Sequence, residues 1–150
     1  MEERFETFTV LINRISRNIR KIKIQEMKEY NLRGAHISCL YYLYLSPGLT
    51  ATELCERCEE DKATISRALD YLEKEEYVIC KSTVSKRYRS PVELTDKGNA
   101  VGYKIAVKIK NVLEETAVGL SKKQRDDFYH GLSVISKNLE AVCNNSRKKD

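Results

Sequence analysis

Residues that interrupt regular structure are scarce in this chain, which has two prolines and six glycines among its 150 residues. Because proline and glycine are the residues that most strongly disfavour a helix interior, their scarcity favours long helices. No apolar run approaches the roughly 18 residues that a membrane-spanning helix needs. The segment MEERFETF is acidic and lacks the apolar core of an export signal, so we expect a cytoplasmic protein.

Groups that hold metals or carry out catalysis are equally scarce. The sequence contains two histidines, His36 and His130, and neither belongs to a cluster of ligands at the spacing of a metal site. It has no glycine-rich phosphate loop and no Ser/His/Asp arrangement near either histidine. We therefore expect a protein that is not an enzyme and that carries no metal or cofactor.

The five cysteines are an odd number, so they cannot all pair within one chain, and without an export signal we expect five reduced thiols. Four have apolar neighbours and are predicted to be small core residues: Cys39, Cys55, Cys80 and Cys143. Cys55 and Cys58 form a C-x-x-C motif, but no second pair follows to complete a zinc site. A redox-sensing thiol stays open as an alternative, although the acids around this motif oppose the positive surroundings that a reactive thiolate needs.

Long helical patterns with narrow apolar seams lie at both ends of the chain. The first helix is predicted from about Glu2 to Lys28, with apolar residues spaced by three and four: Phe5, Phe8, Ile12, Ile15, Ile19 and Ile22. Another helix is predicted over about Asp96 to Val118, and a last one begins after the capping box Ser121-x-x-Gln124. A narrow seam needs a partner helix, which leaves a self-contained bundle or a homodimer whose terminal helices interlock.

The middle of the chain predicts two short helices joined by a tight polar turn and followed by a β-hairpin. Thr50-x-x-Glu53 is a capping box that begins a helix over about Ala51–Cys58, and Asp61 caps the next helix, over about Lys62–Glu75. Strands are expected over Tyr77–Cys80 and Val92–Thr95. This order is typical of a winged helix-turn-helix, a module that places its second helix in the major groove of DNA.

The second of these helices would bury an apolar stripe: Ile65, Ala68, Leu69 and Leu72. The N-terminal half of its opposite face carries the candidates for DNA recognition: Lys62, Ala63, Thr64, Ser66 and Arg67. Short side chains let the backbone approach the base edges, and Arg67 has the geometry for a bidentate contact to guanine. The alternative is a solvated polar face, which any surface helix shows.

The hairpin favours the DNA-binding interpretation, because residues 81–92 carry four cations and no acid: Lys81, Lys86, Arg87 and Arg89. We expect the last three to face a minor groove or the flanking phosphates, with strongly salt-dependent binding. The charge of the two preceding helices argues against DNA binding, because residues 51–76 hold nine acids and four bases. That acidic balance keeps open a winged module that binds a protein partner.

Three motifs follow one another along the chain: Leu49-Thr50-x-x-Glu53-Leu54, Ala63-Thr64-Ile65-Ser66-Arg67 and Leu94-Thr95-Asp96-Lys97-Gly98. In this order they resemble the MarR family of transcriptional regulators over nearly the whole chain. The resemblance implies a mainly α fold of about six helices with a small β-hairpin wing, in one domain over residues 1–150. It implies a helical dimerisation region at 1–30 and 96–150 and a winged helix-turn-helix at 31–95.

The resemblance also implies a homodimeric repressor that binds a pseudo-palindromic operator on double-stranded DNA and, in many members, is released by a small, often phenolic, ligand. A cation with aromatic residues suits an aromatic acid, and the candidates here are Arg14, Arg17, His36, Tyr41 and Tyr44. The alternative is that the tyrosines are core or interface residues and that His36 is an exposed polar residue.

The chain departs from the family pattern at three places. The family wing usually has Asp-x-Arg ahead of the Leu-Thr pair, and here no aspartate is present. Counting back from Leu94 without a gap puts Tyr88 at the arginine position, whereas one extra residue at the tip puts Arg87 there and Ser85 at the aspartate, so which arginine enters the groove stays open. Glu76 stands where a glycine is common before the wing, so we expect a different turn there. Redox-sensing members carry a cysteine in the first helix, and this chain has none there.

Overall fold

The chain is mainly α-helical with a two-stranded hairpin, as expected, in a computed structural model that describes residues 2–80 and 89–146. It divides into two compact units, residues 1–109 and 110–150. The helices are α1 (Glu2–Glu26), α2 (Gly34–Leu45), α3 (Ala51–Cys58), α4 (Lys62–Lys74), α5 (Asp96–Thr116) and α6 (Lys122–Ser146). The strands are β1 (Val78–Cys80) and β2 (Val92–Leu94). None of the described helices is long and apolar enough to cross a membrane.

Helix starts agree with the capping signals of the sequence. The N–H of Thr50 donates to Glu53 Oε2 at 2.8 Å, and the N–H of Glu53 donates back to Thr50 Oγ1 at 3.3 Å. Ser121 and Gln124 form the same reciprocal pair ahead of α6, at 2.8 and 3.3 Å. The end of α1 differs from the prediction, because the helix stops at Glu26 and a 3₁₀ turn over Lys28–Tyr30 follows.

The core of the first unit lies between the inner faces of its helices. Its largest fully buried side chains are apolar, and those of α4 lie on the predicted inward stripe: Met27, Ile37, Leu40, Leu43, Leu54, Ile65, Leu69, Leu72 and Ile105. Burying one such side chain contributes about 1.5–3 kcal/mol relative to leaving it exposed. This stripe therefore determines which face of α4 remains outside.

The hairpin is attached at both ends. Its strands pair antiparallel, with Val78 opposite Leu94, and the N–H of Val92 donates to the carbonyl of Leu49 at 2.9 Å just before α3. At the other end Glu76 has a φ of 60°, the left-handed conformation for which a glycine would be the usual residue. The different turn expected at Glu76 is therefore not seen: the backbone keeps the conformation that a glycine would adopt, and a residue with a side chain occupies this uncommon conformation.

The apolar seams at the chain ends are largely exposed. On α1, Ile12, Ile15 and Ile19 are 36%, 47% and 49% exposed. On α6 of the second unit, Leu139 and Val142 are 53% and 61% exposed. Contiguous apolar residues at such exposure are typical of surfaces that bind another protein, a ligand or a membrane.

The prediction of four core cysteines is wrong in part. Cys39 is buried and Cys55 and Cys80 are partly buried, but Cys143 is exposed. Its apolar neighbour Val142 is exposed as well. Apolar neighbours in sequence thus indicate an apolar helix face without showing whether the chain itself covers that face.

Candidate nucleic-acid interface

The start of α4 is fixed by Asp61. The N–H of Thr64 donates to Asp61 Oδ1 at 2.7 Å, and the hydroxyl of Thr64 donates to Asp61 Oδ2 at 3.1 Å. The hydrogen bond from the Thr64 backbone, which stabilises the charged carboxylate, lowers the pKa of Asp61. The cap confirms the predicted start, and it orients the helix turn that carries the recognition candidates.

Burial of the inward stripe leaves the predicted recognition face of α4 accessible. Lys62, Ala63 and Arg67 are exposed, whereas Thr64 and Ser66 are partly buried. All five lie within the first two turns of the helix. The face therefore has two long basic side chains, Lys62 at the helix start and Arg67 one turn later, beside short neighbours. Where the neighbours are short, the backbone can approach a flat partner such as a base edge.

The wing residues are described in part. Arg89 is exposed and precedes β2. Lys86 and Arg87 lie outside the described residues, so their role remains a prediction.

Several acids that seemed to oppose DNA binding act as hydrogen-bond acceptors inside the winged module. Glu53 and Asp61 cap α3 and α4, as given above. Glu73 accepts from the N–H of Cys80 at 3.2 Å and so links α4 to β1. Part of the acidic excess of residues 51–76 is thus explained by the hydrogen-bond acceptors that two helix starts and one strand need. A count of charges does not show this.

The five ligand candidates have different surroundings. Arg14 and Arg17 are exposed on α1. His36 is buried and stacks on Tyr71 of α4, which overturns its alternative reading as an exposed polar residue. Tyr41 packs against Tyr42, and Tyr44 packs against Tyr103 of α5. Neither of these ring contacts involves a second ligand candidate.

A cavity of about 700 Å³ lies elsewhere in the first unit, beside α1, and none of the five ligand candidates lines it. Apolar α1 residues form much of its wall, together with two cations, two acids and a thiol: Ile12, Ile15, Ile19, Ile24, Arg20, Lys23, Glu59, Glu60 and Cys58. Sequence reasoning missed this cavity, because its lining comes from separate helices of the chain.

Comparison with known proteins assigns the fold. Residues 30–87 match the model of the MarR family. A transcriptional regulator of that family from Silicibacter pomeroyi is 26% identical, with 86% of this chain and 87% of that chain covered and a TM-score of 0.74. The chain thus resembles the MarR family, most directly over residues 30–87. That family consists of transcriptional regulators with a DNA-binding winged helix rather than of enzymes, and the chain shares its fold.

Two further MarR structures share the fold at lower identity. One, a MarR-family regulator from Listeria monocytogenes complexed with a 26mer DNA, is 23% identical over 85% of each chain, with a TM-score of 0.77. The other, Staphylococcus aureus MarR in complex with salicylate and kanamycin, is 17% identical over 91% of each chain, with a TM-score of 0.78. No curated protein sequence matches the chain.

The MarR-like motif that ends the wing has a clear structural reason here. Thr95 Oγ1 accepts from the N–H of Gly98 at 3.0 Å and donates to the carbonyl of Glu76 at 2.7 Å. A Cβ on Gly98 would collide with the carbonyl oxygen of Tyr77. The threonine caps α5 and the glycine lets α5 approach the wing, so this motif couples the DNA-binding module to the helix that leaves it.

Proposed function

We propose that the chain is a homodimeric repressor that binds a pseudo-palindromic operator on double-stranded DNA in the cytoplasm. The observation that carries the proposal is the exposed N-terminal face of α4, held by the Asp61 cap and projecting Arg67. A recognition helix enters the major groove with its N-terminal half, which is where this face lies.

The roles of the individual residues follow from their positions. Arg67 makes a bidentate contact to guanine, and Ala63 meets a thymine methyl group. The partly buried Thr64 and Ser66 bond phosphate or base edges, and Lys62 neutralises a phosphate. Lys86, Arg87 and Arg89 of the wing contribute the salt-dependent part of the affinity. The DNA complex of the Listeria monocytogenes protein supports this arrangement by its shared fold.

The homodimer is supported by exposed apolar residues on the terminal helices. Ile19 of α1 and Leu139 of α6 are each about half exposed, at 49% and 53%. Two copies that cover these seams would place two recognition helices on the two half-sites of one operator. The dimerisation region would comprise residues 1–30 and 96–150, and the winged helix-turn-helix residues 31–95.

Release by a small aromatic acid completes the proposal, with Arg14, Arg17, His36, Tyr41 and Tyr44 as the candidate contacts. The salicylate bound to Staphylococcus aureus MarR supports this class of ligand. The buried, stacked His36 would take part by changing the packing of α2 on α4, because little of its side chain reaches solvent.

Fluorescence anisotropy with a labelled duplex from upstream of the chain's own coding region tests the DNA proposal. A scrambled duplex of equal length and composition is the reference. We expect selective binding that weakens by at least about tenfold when salt rises from about 50 to about 200 mM. Absence of binding to any duplex at low salt would overturn the proposal and favour a protein partner.

Substitutions in α4 and in the wing distinguish residues that recognise bases from residues that contribute affinity through their charge. Arg67→Ala should cost about 1–3 kcal/mol on the upstream duplex and reduce its preference over the scrambled one. Arg89→Ala should weaken binding to both duplexes alike and lower the salt dependence. Lys74→Ala removes the same charge from the C-terminal end of α4, where the side chain is exposed, and should leave the preference unchanged.

A further inference from the structure

The two strands of the wing each carry an N–H group that points away from the other strand. The N–H of Thr95 donates to the carbonyl of Tyr77 at 3.1 Å, so these residues form a hydrogen-bonded pair of the hairpin. Hydrogen-bonded and non-hydrogen-bonded pairs alternate in an antiparallel ladder, and by this register Cys80 and Val92 are a non-hydrogen-bonded pair. Their backbone N–H groups therefore require acceptors outside the hairpin.

Those acceptors lie on the two sides of the wing. The N–H of Val92 donates to the carbonyl of Leu49 at 2.9 Å, just before α3. The N–H of Cys80 donates to Glu73 Oε1 at 3.2 Å, near the end of α4. The first acceptor is a backbone carbonyl, which any residue at that position would supply. The second is a side chain, so the attachment of β1 to α4 depends on which residue stands at position 73.

The hydrogen bond to Glu73 acts where β1 leaves the core. Along this strand Val78 is buried, Ile79 is exposed and Cys80 is partly buried. Because apolar burial is non-directional, the packing of Val78 anchors β1 without fixing the direction in which the hairpin continues. A hydrogen bond is directional, and this one is made by the last residue of β1. Glu73 therefore orients the part of the hairpin that extends beyond the core.

Glu73 and Arg67 belong to the same helix, α4. At about 1.5 Å of rise per residue, they lie about 9 Å apart along the helix axis. One continuous helix thus carries both the side chain expected to recognise bases and the acceptor that holds β1. Arg89, the exposed cation of the wing, precedes the strand that pairs with β1. The position of Arg89 relative to Arg67 therefore depends on how the hairpin is fixed to α4.

We propose that Glu73 is a positioning residue of the DNA interface, because its carboxylate sets the direction of the wing relative to α4. Arg89 then reaches the DNA backbone while Arg67 occupies the major groove. Glu73 is partly buried and acts through the N–H of Cys80 rather than by contact with DNA. The consequence for DNA binding rests on the proposed function, whereas the attachment of the wing by Glu73 does not.

Amide hydrogen exchange, measured by NMR on the DNA-free protein, tests the attachment. Glu73→Ala removes the acceptor, and we expect the Cys80 amide to exchange at least about fivefold faster. The Val92 amide keeps its acceptor on Leu49 and should change little. Glu73→Gln retains an acceptor oxygen without the charge and should keep the exchange of Cys80 slow.

Glu75→Ala is the matched control, because it truncates the same residue type at another partly buried position near the end of α4. It should leave the exchange of the Cys80 amide as it is. Unchanged exchange at Cys80 in Glu73→Ala would overturn the attachment. Equal acceleration of the Cys80 and Val92 amides would overturn it as well, because it would show a general loss of stability.

Fluorescence anisotropy with the upstream and scrambled duplexes tests the consequence for DNA binding. Glu73→Ala should lower the salt dependence of binding, as Arg89→Ala does, and should retain the preference for the upstream duplex that Arg67 provides. In a double-mutant cycle, the loss of affinity caused by Arg89→Ala should be at least about threefold smaller in the Glu73→Ala background than in the parent protein.

Additive effects of Glu73→Ala and Arg89→Ala would overturn the positioning role, because Glu73 would then act independently of the wing cation. Equal weakening by Glu73→Gln and Glu73→Ala would overturn it too, since the charge rather than the acceptor would be responsible. A parent protein that binds no duplex would overturn the proposed function and the DNA part of this inference together. Amide exchange at Cys80 would still decide whether Glu73 holds the wing.

Discussion

The imidazole of His36 stacks on the phenol ring of Tyr71, with ring centroids 4.3 Å apart and planes within 6° of parallel. His36 lies in the first turn of α2, where its Nδ1 accepts from the N–H of Arg33 at 3.1 Å. The hydroxyl of Tyr71 donates to the carbonyl of Asn31 at 3.3 Å. One stacked pair therefore holds the recognition helix α4 against the start of α2.

Acid should destabilise the protein through His36. Burial, assisted by the nearby charge of Arg33, lowers the pKa of His36 below 6.5, so the folded state favours the neutral ring. The unfolded chain then binds more protons just below pH 6.5, and the stability present above that pH is lost as the pH falls. Denaturant unfolding between about pH 7 and about pH 5 should show this loss. His36→Gln should reduce the dependence of the free energy of unfolding on pH.

His130→Gln is the matched control for that experiment, because it removes the other histidine, which is exposed on α6. It should leave the pH dependence of unfolding as it is. An equal reduction of the slope by both substitutions would contradict the assignment to His36.

Removing the cap of α4 should lower both stability and DNA affinity. Asp61→Ala leaves the N–H of Thr64 without its acceptor, and we expect the melting temperature to fall by about 2–4 °C. Asp61→Asn retains a capping oxygen without the charge and should melt close to the parent protein. A melt in which Asn and Ala behave alike would show that the charge, rather than the cap, contributes the stability.

Gly98→Ala should destabilise the junction between the wing and α5. The added methyl group would collide with the carbonyl of Tyr77, a backbone group that cannot move without displacing β1. We expect a loss of about 1–3 kcal/mol in the free energy of unfolding, measured with urea. Gly34→Ala, where a Cβ meets nothing within 4 Å, is the control and should be neutral or stabilising by up to about 1 kcal/mol.

A charge on the apolar seam of α6 should dissociate the proposed homodimer. Leu139→Asp places a carboxylate where a partner would bury an apolar side chain, and we expect dimer affinity to fall at least about tenfold. Sedimentation velocity measures the distribution of monomer and dimer. Asn138→Asp adds the same charge at an exposed neighbouring position and should leave the dimer intact. A Leu139→Asp variant that remains dimeric would place the interface elsewhere.

Local rules accounted for most of the helix starts. Thr50, Asp61 and Ser121 were each predicted as caps and each makes the expected hydrogen bonds, because a cap depends on residues three positions away. The end of α1 was less predictable, since the apolar spacing ends at Ile22 and no glycine or proline follows to mark where the helix stops. The helix ends at Glu26, and the next residue, Met27, is buried in the core.

Sequence alone determined the helical elements, the inward stripe of α4 and hence the recognition face opposite it, because each depends on spacing within one segment. Tertiary structure decided which distant groups meet. It buried His36 against Tyr71, and it brought Lys23 of α1 within hydrogen-bond distance of Ser38 of α2. These relations depend on how α1, α2, α3 and α4 pack, and no spacing along the chain carries that information.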